Sequence, residues 1–400
     1  MKQSNATQPS IDQHAVADRL NAASDVHAAY IGLDVHKASI SVAIAEAGRQ
    51  APEFRGEIPN APQAIDKLVR QLSQRFAGQP LLFSYEAGPC GYGVYHQIQA
   101  SGHDCEVVAP SLIPQRAGDR VKTDRRDAKM LARLSRSGEL TPVWVPTPEQ
   151  EAIRDLTRAR EDMKAIELKA RQRLSAFLLR HGQVYPGENK WIPAHFRWLE
   201  TVRFDSRVQQ IVLEEYVDAV KDAQRRVAGL EKQMAAALPD WSLAPVVEAV
   251  QAMRGVSLIT AMTVLAELGD ISRFDSPRQL MAYLGLVPSE HSSGGSRRQG
   301  GITKTGNGHV RRVLVEAAWS YRFPARKTRT IQRRAEKTSP AVQAIAWEAQ
   351  KRLCGRYRRL AATGKVKQQV ITAVARELAG FLWAIACEAM GKPHGSRATA

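Results

Sequence analysis

Four carboxylates in the first third of the chain have the types and spacing of a divalent-cation site. Asp34 closes the apolar run AYIGLD, Glu86 closes LLFSYE, and Asp124 and Asp127 stand three apart in TDRRDAKMLARL. Three residues is less than one helical turn, so the last two face one side of a helix near its start. Acids gathered in one place repel one another unless cations neutralise them. An all-oxygen set suits Mg²⁺, and two such ions about 4 Å apart can grip a phosphodiester, activating a nucleophile and stabilising the leaving oxygen. Taken singly, an acid at a strand end often caps a loop, and Asp124 or Asp127 could cap a helix. The joint arrangement is what argues for metal.

A second constellation lies in GLVPSEHSSGGSRRQGGITKTGNGHVRRVLVEAAW, 285–319. Ser292, Ser293 and Ser296 sit in a Gly-rich stretch, expected to be a loop. Arg297, Arg298, Lys304, Arg311 and Arg312 follow as candidate nucleic-acid contacts. Glycines let a phosphate approach the backbone, and arginines can clamp its oxygens bidentately. A serine hydroxyl held there can attack phosphorus if it is activated. The plainer reading is a flexible Ser/Gly linker. The stretch lacks GxxxxGK[ST] and is not a P-loop.

These residues need elements to position them. β-branched runs at 29–35 and 38–46, joined by His36-Lys37, predict a hairpin, with a third strand at 54–58. Asn60-Ala61-Pro62 opens a helix with Ile65, Leu68, Val69 and Leu72 on one face. Strand 80–86, a helix at 94–100, strand 105–110 and a helix from Thr123 complete a ββ(β)αβαβα order. Next come two long amphipathic patterns, 149–181 and 205–238, read either as an antiparallel hairpin or as an intermolecular coiled coil. PGENKWIPAHFRWLE is expected to be the loop between them. From Trp241 the pattern is mostly helical, and MRGVSLITAMTVLAELGD (253–270) is similar to half of a helix-hairpin-helix. The fold class expected is α/β plus all-α. The segments are a leader 1–28, an α/β domain 29–148, a helical linker 149–240, a C-terminal domain 241–385 and a tail 386–400.

Composition fixes the class of partner. The 400 residues include 57 Lys+Arg against 40 Asp+Glu, a net charge of +17, and 44% hydrophobic residues exclude wholesale disorder. Between 297 and 367 there are 19 Lys+Arg and three acids, interleaved with Trp319, Tyr321, Phe323, Trp347 and Tyr357. That segment calls for a polyanion, and nucleic acid fits better than a membrane surface because no clean basic amphipathic helix occurs. There is no run of 18 apolar residues, so no membrane span is expected. The polar N-terminus lacks a signal core. Cys90, Cys105, Cys354 and Cys387 show neither CxxC nor Cys/His clustering, which excludes a zinc ribbon and points to a reducing cytoplasm.

Acids on the first and fourth strands of such a domain resemble the ribonuclease H-like fold of Holliday-junction resolvases. More specifically, YIGLDVHK, YEAGPCGYG, KTDRRDAKMLA, GVSLITAMTVLAELGDISRF, GLVPSEHSSGG and TKTGNGHVRRVL resemble, in order and spacing, the insertion-sequence transposases that join an N-terminal RuvC-like DEDD domain to a C-terminal serine transposase domain, the bridge-RNA-guided recombinases. The resemblance covers about 29–385. It implies that Asp34, Glu86, Asp124 and Asp127 are the DEDD set with Mg²⁺, and that Ser293 is the nucleophile, with Ser292 and Ser296 nearby. It further implies DNA partners at the element ends and target, a structured noncoding guide RNA, and a dimer or tetramer with no membrane role in a bacterial, nucleoid-associated setting. Two rival readings stand beside it: a RuvC-like junction endonuclease using metal-activated water, and a structural nucleic-acid-binding protein with vestigial acids.

Overall fold

The computed structural model describes residues 27–114, 123–293 and 296–392, with backbone alone at 293 and 296–297. The expected leader therefore lies almost wholly outside the described residues. The chain divides into two compact units, Met1–Val145 and Pro146–Ala400.

The first unit is a five-stranded mixed sheet in the order β3-β2-β1-β4-β5. Its strands are β1 (Ala29–Val35), β2 (Ser39–Glu46), β3 (Glu53–Pro59), β4 (Leu81–Glu86) and β5 (Asp104–Val108). β1 and β2 form the expected antiparallel hairpin from Ala29↔Glu46 to Val35↔Ile40, while β1 runs parallel to β4 and β4 to β5. β1 is central and covered on both faces, which is why its apolar run is almost uninterrupted. On one face Ile31, Leu33, Phe83 and Tyr85 pack against Ile65, Leu68 and Leu72 of α1 (Pro62–Arg75) and Val94 and Ile98 of α2 (Gly93–Ala100). On the other face Tyr30, Ala43 and Ala45 meet Ala128 and Ala132 of α3 (Asp124–Arg136). Small residues here let α3 lie almost on the sheet. A Cβ added at Gly32 would stand 2.1 Å from the Ala128 carbonyl oxygen and 2.5 Å from the Ala132 amide.

The second unit begins with α4 (Pro148–Arg180), opened by a Thr147/Gln150 capping box, and α6 (Arg207–Ala237), capped by Ser206. They are antiparallel. The end of α4 (Ala170, Leu174, Phe177) packs on the start of α6 (Leu213, Val217, Val220), while Arg160 near the start of α4 bonds Glu231 near the end of α6 at 2.5 Å. The long stripes thus pair within one chain. The connection is more than a loop: α5 (Pro193–Leu199) forms within it, because His195 and Leu199 are buried under the same cluster and Pro193 starts the helix without losing a bond.

Beyond the pair come α7 (Ala244–Val250), α8 (Leu258–Leu268), α9 (Pro277–Tyr283), strands β6 (Pro288–Ser293) and β7 (Ser296–Ile302), then α10 (Gly308–Ala318), α11 (Arg329–Ala335), α12 (Pro340–Ala362) and α13 (Lys367–Ala389). α13 is the core of this bundle, extends past residue 385, and buries most of its surface from Val370 to Cys387. It is long and apolar enough to cross a membrane by length and composition, a property that follows from burial on nearly all sides. Trp383 donates from its indole nitrogen to the Phe274 carbonyl at 2.8 Å. The four cysteines are free.

Candidate active site

Pairing register puts the first two acids together. The parallel β1–β4 pairing ends at Leu33↔Tyr85, so Asp34 and Glu86 are the next residues of the two strands, on the sheet face that Gly32 and Ser84 turn toward α3. That helix starts at the same end: Thr123 caps it by accepting from the Arg126 amide, and Asp124 and Asp127 occupy its first turn. A helix N-terminus favours negative charge nearby. Lower down, the contact between α3 and the sheet is fixed by a buried polar triangle. The Ser84 and Ser135 hydroxyls lie 2.6 and 2.9 Å from Glu106 Oε1 and 2.7 Å from each other. Burial raises the Glu106 carboxyl above its ordinary range against the pull of those hydroxyls.

The tightest gathering is Asp34, Asp124 and His36, whose ligand atoms all lie within 4.8 Å of one another. His36 Nε2 stands 3.2 Å from Asp34 Oδ2 and 3.6 Å from Asp124 Oδ2. Glu86, half-buried, and Asp127 lie outside that set, although Asp127 is near enough to act on Asp34. Burial, joined by the charges of Asp124 and Asp127, raises the Asp34 carboxyl above its usual range despite the opposing effect of His36. A half-buried acid that resists ionisation beside two more acids is a place where a cation lowers the energy. Oxygen donors with one imidazole fit a divalent metal. Sequence reasoning treated His36 only as a turn residue; its position two after Asp34, across a tight turn, was the available signal.

The serines do not lie in a loop. β6 and β7 form an antiparallel hairpin in which Ser292 faces Arg297 and Ser293 faces Ser296, with Gly294-Gly295 between the strands. Polar residues on both strands suit a two-stranded ribbon as well as a linker. Ser292 donates to Glu290 Oε1 at 2.8 Å. The side chains of Ser293, Ser296 and Arg297 lie outside the described residues. Arg298 and Lys304 are exposed. Arg311 donates to the Leu284 and Thr305 carbonyls at 2.9 and 2.7 Å, and Arg312 pairs with Glu316 and Glu161 at 2.8 and 2.6 Å. Those two guanidinium groups thus also brace the protein, and the Arg312 side chain remains 43% exposed. Gly306 has φ +64°, and a Cβ there would lie 2.0 Å from the Tyr283 carbonyl oxygen, so the glycine in TKTGNG serves backbone packing.

Beneath this segment is a network the sequence gave no reason to expect. Glu267 on α8, with a side chain 1% exposed, receives Arg158 at 2.7 Å, Asn307 at 2.7 Å and His309 at 3.5 Å. Burial alone would raise its carboxyl, but bonds from His309, Arg158 and Asn307 outweigh that and hold it well below the ordinary range. The helix-hairpin-helix likeness also looks structural here. Gly255 takes φ +81° against the Ala317 carbonyl, and the Ser257 hydroxyl occupies the Thr260 amide at the start of α8. Of the aromatics in the basic segment, Tyr321 is buried in the core, while Arg322 lies over Phe323 and Lys327 over Trp347. Arg322, Arg326, Lys327, Arg329 and Arg333 are exposed, a cationic face beside that core.

Comparison with known proteins supplies the context. Residues 31–182 match the DEDD_Tnp_IS110 profile, described as a transposase, and 247–333 match the profile described as Transposase IS116/IS110/IS902 family. The chain is 49% identical over 369 residues to the putative transposase y4qE of Sinorhizobium fredii, covering 92% of this chain and 91% of that protein. It is 29% identical over 334 residues to the transposase for insertion sequence element IS1533 of Leptospira borgpetersenii, covering 83% and 96%. Similarity at 25% over 296 residues extends to the pilin gene-inverting protein of Moraxella bovis, covering 72% of this chain and 74% of that protein. With a DEDD-type sheet and helix at one end and a basic helical unit after it, the chain belongs to the IS110/IS116/IS902 family of transposases, enzymes that process DNA.

Proposed function

We propose that this transposase is a recombinase that cuts and rejoins DNA through Ser293, assisted by Mg²⁺ on Asp34, Glu86, Asp124 and Asp127. The observation that supports it best is the convergence of β1, β4 and the first turn of α3, which gathers acids far apart in sequence. Bound there, Mg²⁺ would offset phosphate charge and lower the barrier to attack at phosphorus. The role of the chain is to orient. Asp34, at the end of a central strand, and Asp124 and Asp127, in the first turn of a capped helix, are held on rigid elements. The Ser293 oxygen forms a bond to phosphorus while the bond from phosphorus to one deoxyribose oxygen breaks. The serine proton is lost and the departing oxygen gains one. Attack by a hydroxyl of the recombining strand reverses the step and frees the serine.

Segments 29–148, 149–240 and 241–385 would then bind metal, assemble protomers and deliver the nucleophile. Ile166, Leu168, Val208 and Ile211, exposed on the paired helices, favour self-association as a dimer or tetramer. The inversion activity named for the Moraxella relative agrees with strand exchange rather than simple cutting. Choice of DNA would come from a structured noncoding RNA, as the resemblance implies, with the exposed cations of 322–333 and Arg298 and Lys304 holding backbone. Incubating the purified protein with Mg²⁺ and element-end DNA, then denaturing, should leave a covalent protein–DNA adduct that Ser293→Ala abolishes. Cleavage that persists without adduct in Ser293→Ala would establish metal-activated water instead. Full activity in Asp34→Asn would leave the acids vestigial. Sequencing RNA that co-purifies tests the guide.

A further inference from the structure

The turn between β1 and β2 brings a nitrogen to the acids. The His36 backbone is tied on both sides: its N–H donates to the Ser39 carbonyl at 2.8 Å, and its own carbonyl accepts from Asn60 Nδ2 at 2.8 Å. The imidazole is thereby delivered over the end of β1, where Nε2 reaches 3.2 Å from Asp34 Oδ2 and 3.6 Å from Asp124 Oδ2. Two donors bound at about 2.1 Å to one ion stand about 3.0 Å apart along an octahedral edge and about 3.4 Å along a tetrahedral one. The shorter observed separation falls between those values, and the longer exceeds the tetrahedral one by about 0.2 Å. The His36 side chain is 53% exposed, so one face remains open to solvent or a phosphate.

We propose that His36 Nε2 is a ligand of the divalent cation held by Asp34 and Asp124, making a mixed nitrogen–oxygen site that prefers Mn²⁺ to Mg²⁺. The inference rests on the reading of these acids as a metal site. Imidazole favours transition ions, whereas Mg²⁺ takes oxygen ligands and keeps its waters. Loss of the nitrogen should therefore weaken Mn²⁺ far more than Mg²⁺.

The test is pulsed electron paramagnetic resonance on the full chain loaded with Mn²⁺, with free Mn²⁺ titrated in parallel and Mg²⁺ followed by competition. Wild type should show a ¹⁴N coupling that both His36→Ala and His36→Gln lose, while Mn²⁺ affinity falls about 10-fold or more and Mg²⁺ affinity hardly moves. Because the side chain is half exposed, both variants should melt as wild type does, which separates ligation from folding. Mn²⁺ bound in an Asp34-dependent way without nitrogen coupling, or with a coupling that survives both variants, overturns the His36 assignment alone. Absence of Mn²⁺ binding, or binding that survives Asp34→Asn, overturns the metal reading and this inference with it.

Discussion

Replacing Gly32 by alanine tests whether the separation of helix and sheet controls the acids. The new methyl would lie 2.1 Å from the Ala128 oxygen and 2.5 Å from the Ala132 nitrogen, against ordinary contact at 3.4 Å or more. Both neighbours are backbone, so no rotamer change relieves the clash, and α3 must retreat by about 1 Å or more in a close-packed interior. Overpacking of this kind costs about 1–3 kcal/mol. For a unit that runs to Val145 that corresponds to a drop in Tm of roughly 2–4 °C per kcal/mol. The retreat carries Asp124 and Asp127 away from Asp34, and a misplacement near 1 Å lowers rate by about 100-fold. Calorimetry and DNA cleavage should thus report both losses together. Gly93→Ala is the control: nothing lies within 4 Å of a Cβ there and the site begins a helix, so stability should hold or rise by up to about 1 kcal/mol. A Gly32→Ala protein that melts and cleaves like wild type would refute the reasoning.

Other expectations follow from the charged networks. Glu267, held below the ordinary range, contributes stability that is present above its unfolded value near pH 4.3 and is lost as pH falls toward the folded value. Glu267→Gln should lower stability at pH 7 by about 1–3 kcal/mol, the worth of hydrogen bonds to a charged group, and flatten the acid limb of urea midpoints measured from pH 7 to pH 3. Divalent cation at 100 times its Kd should stabilise the N-terminal unit by about 2.7 kcal/mol in thermal scans, and Asp34→Asn or Asp124→Asn should remove that gain.

The features legible in the sequence were those written in periodicity. β-branched runs marked β1 and β2, an apolar and aromatic run marked β4, the three-residue spacing of Asp124 and Asp127 marked one helical face, and the stripes of α4 and α6 marked long helices. What stayed hidden depends on contacts between distant segments. Nothing local distinguishes Gly32 from a glycine in a turn, because its reason lies in α3 roughly a hundred residues later. Polar residues flanking two glycines read as linker because SSGGS carries no apolar residue that could show a pattern. Glu267 carries no local signal, because Arg158, Asn307 and His309 reach it from distant segments. His36 was hidden by its position in a turn, where polarity is ordinary. α5 escaped notice because aromatic residues and proline suggest a loop when the cluster they cover is out of view.

The arrangement of α13 has an outcome for how the protein is made. Helices α7, α9, α10 and α12 pack against this later, largely apolar segment in one buried cluster. A ribosome that stalls before codon 367, or a nonsense change upstream of it, releases a product with that apolar surface bare. Such a product is prone to aggregation and degradation rather than partial activity. Quality control would thus act as an all-or-nothing filter on damaged copies of the gene.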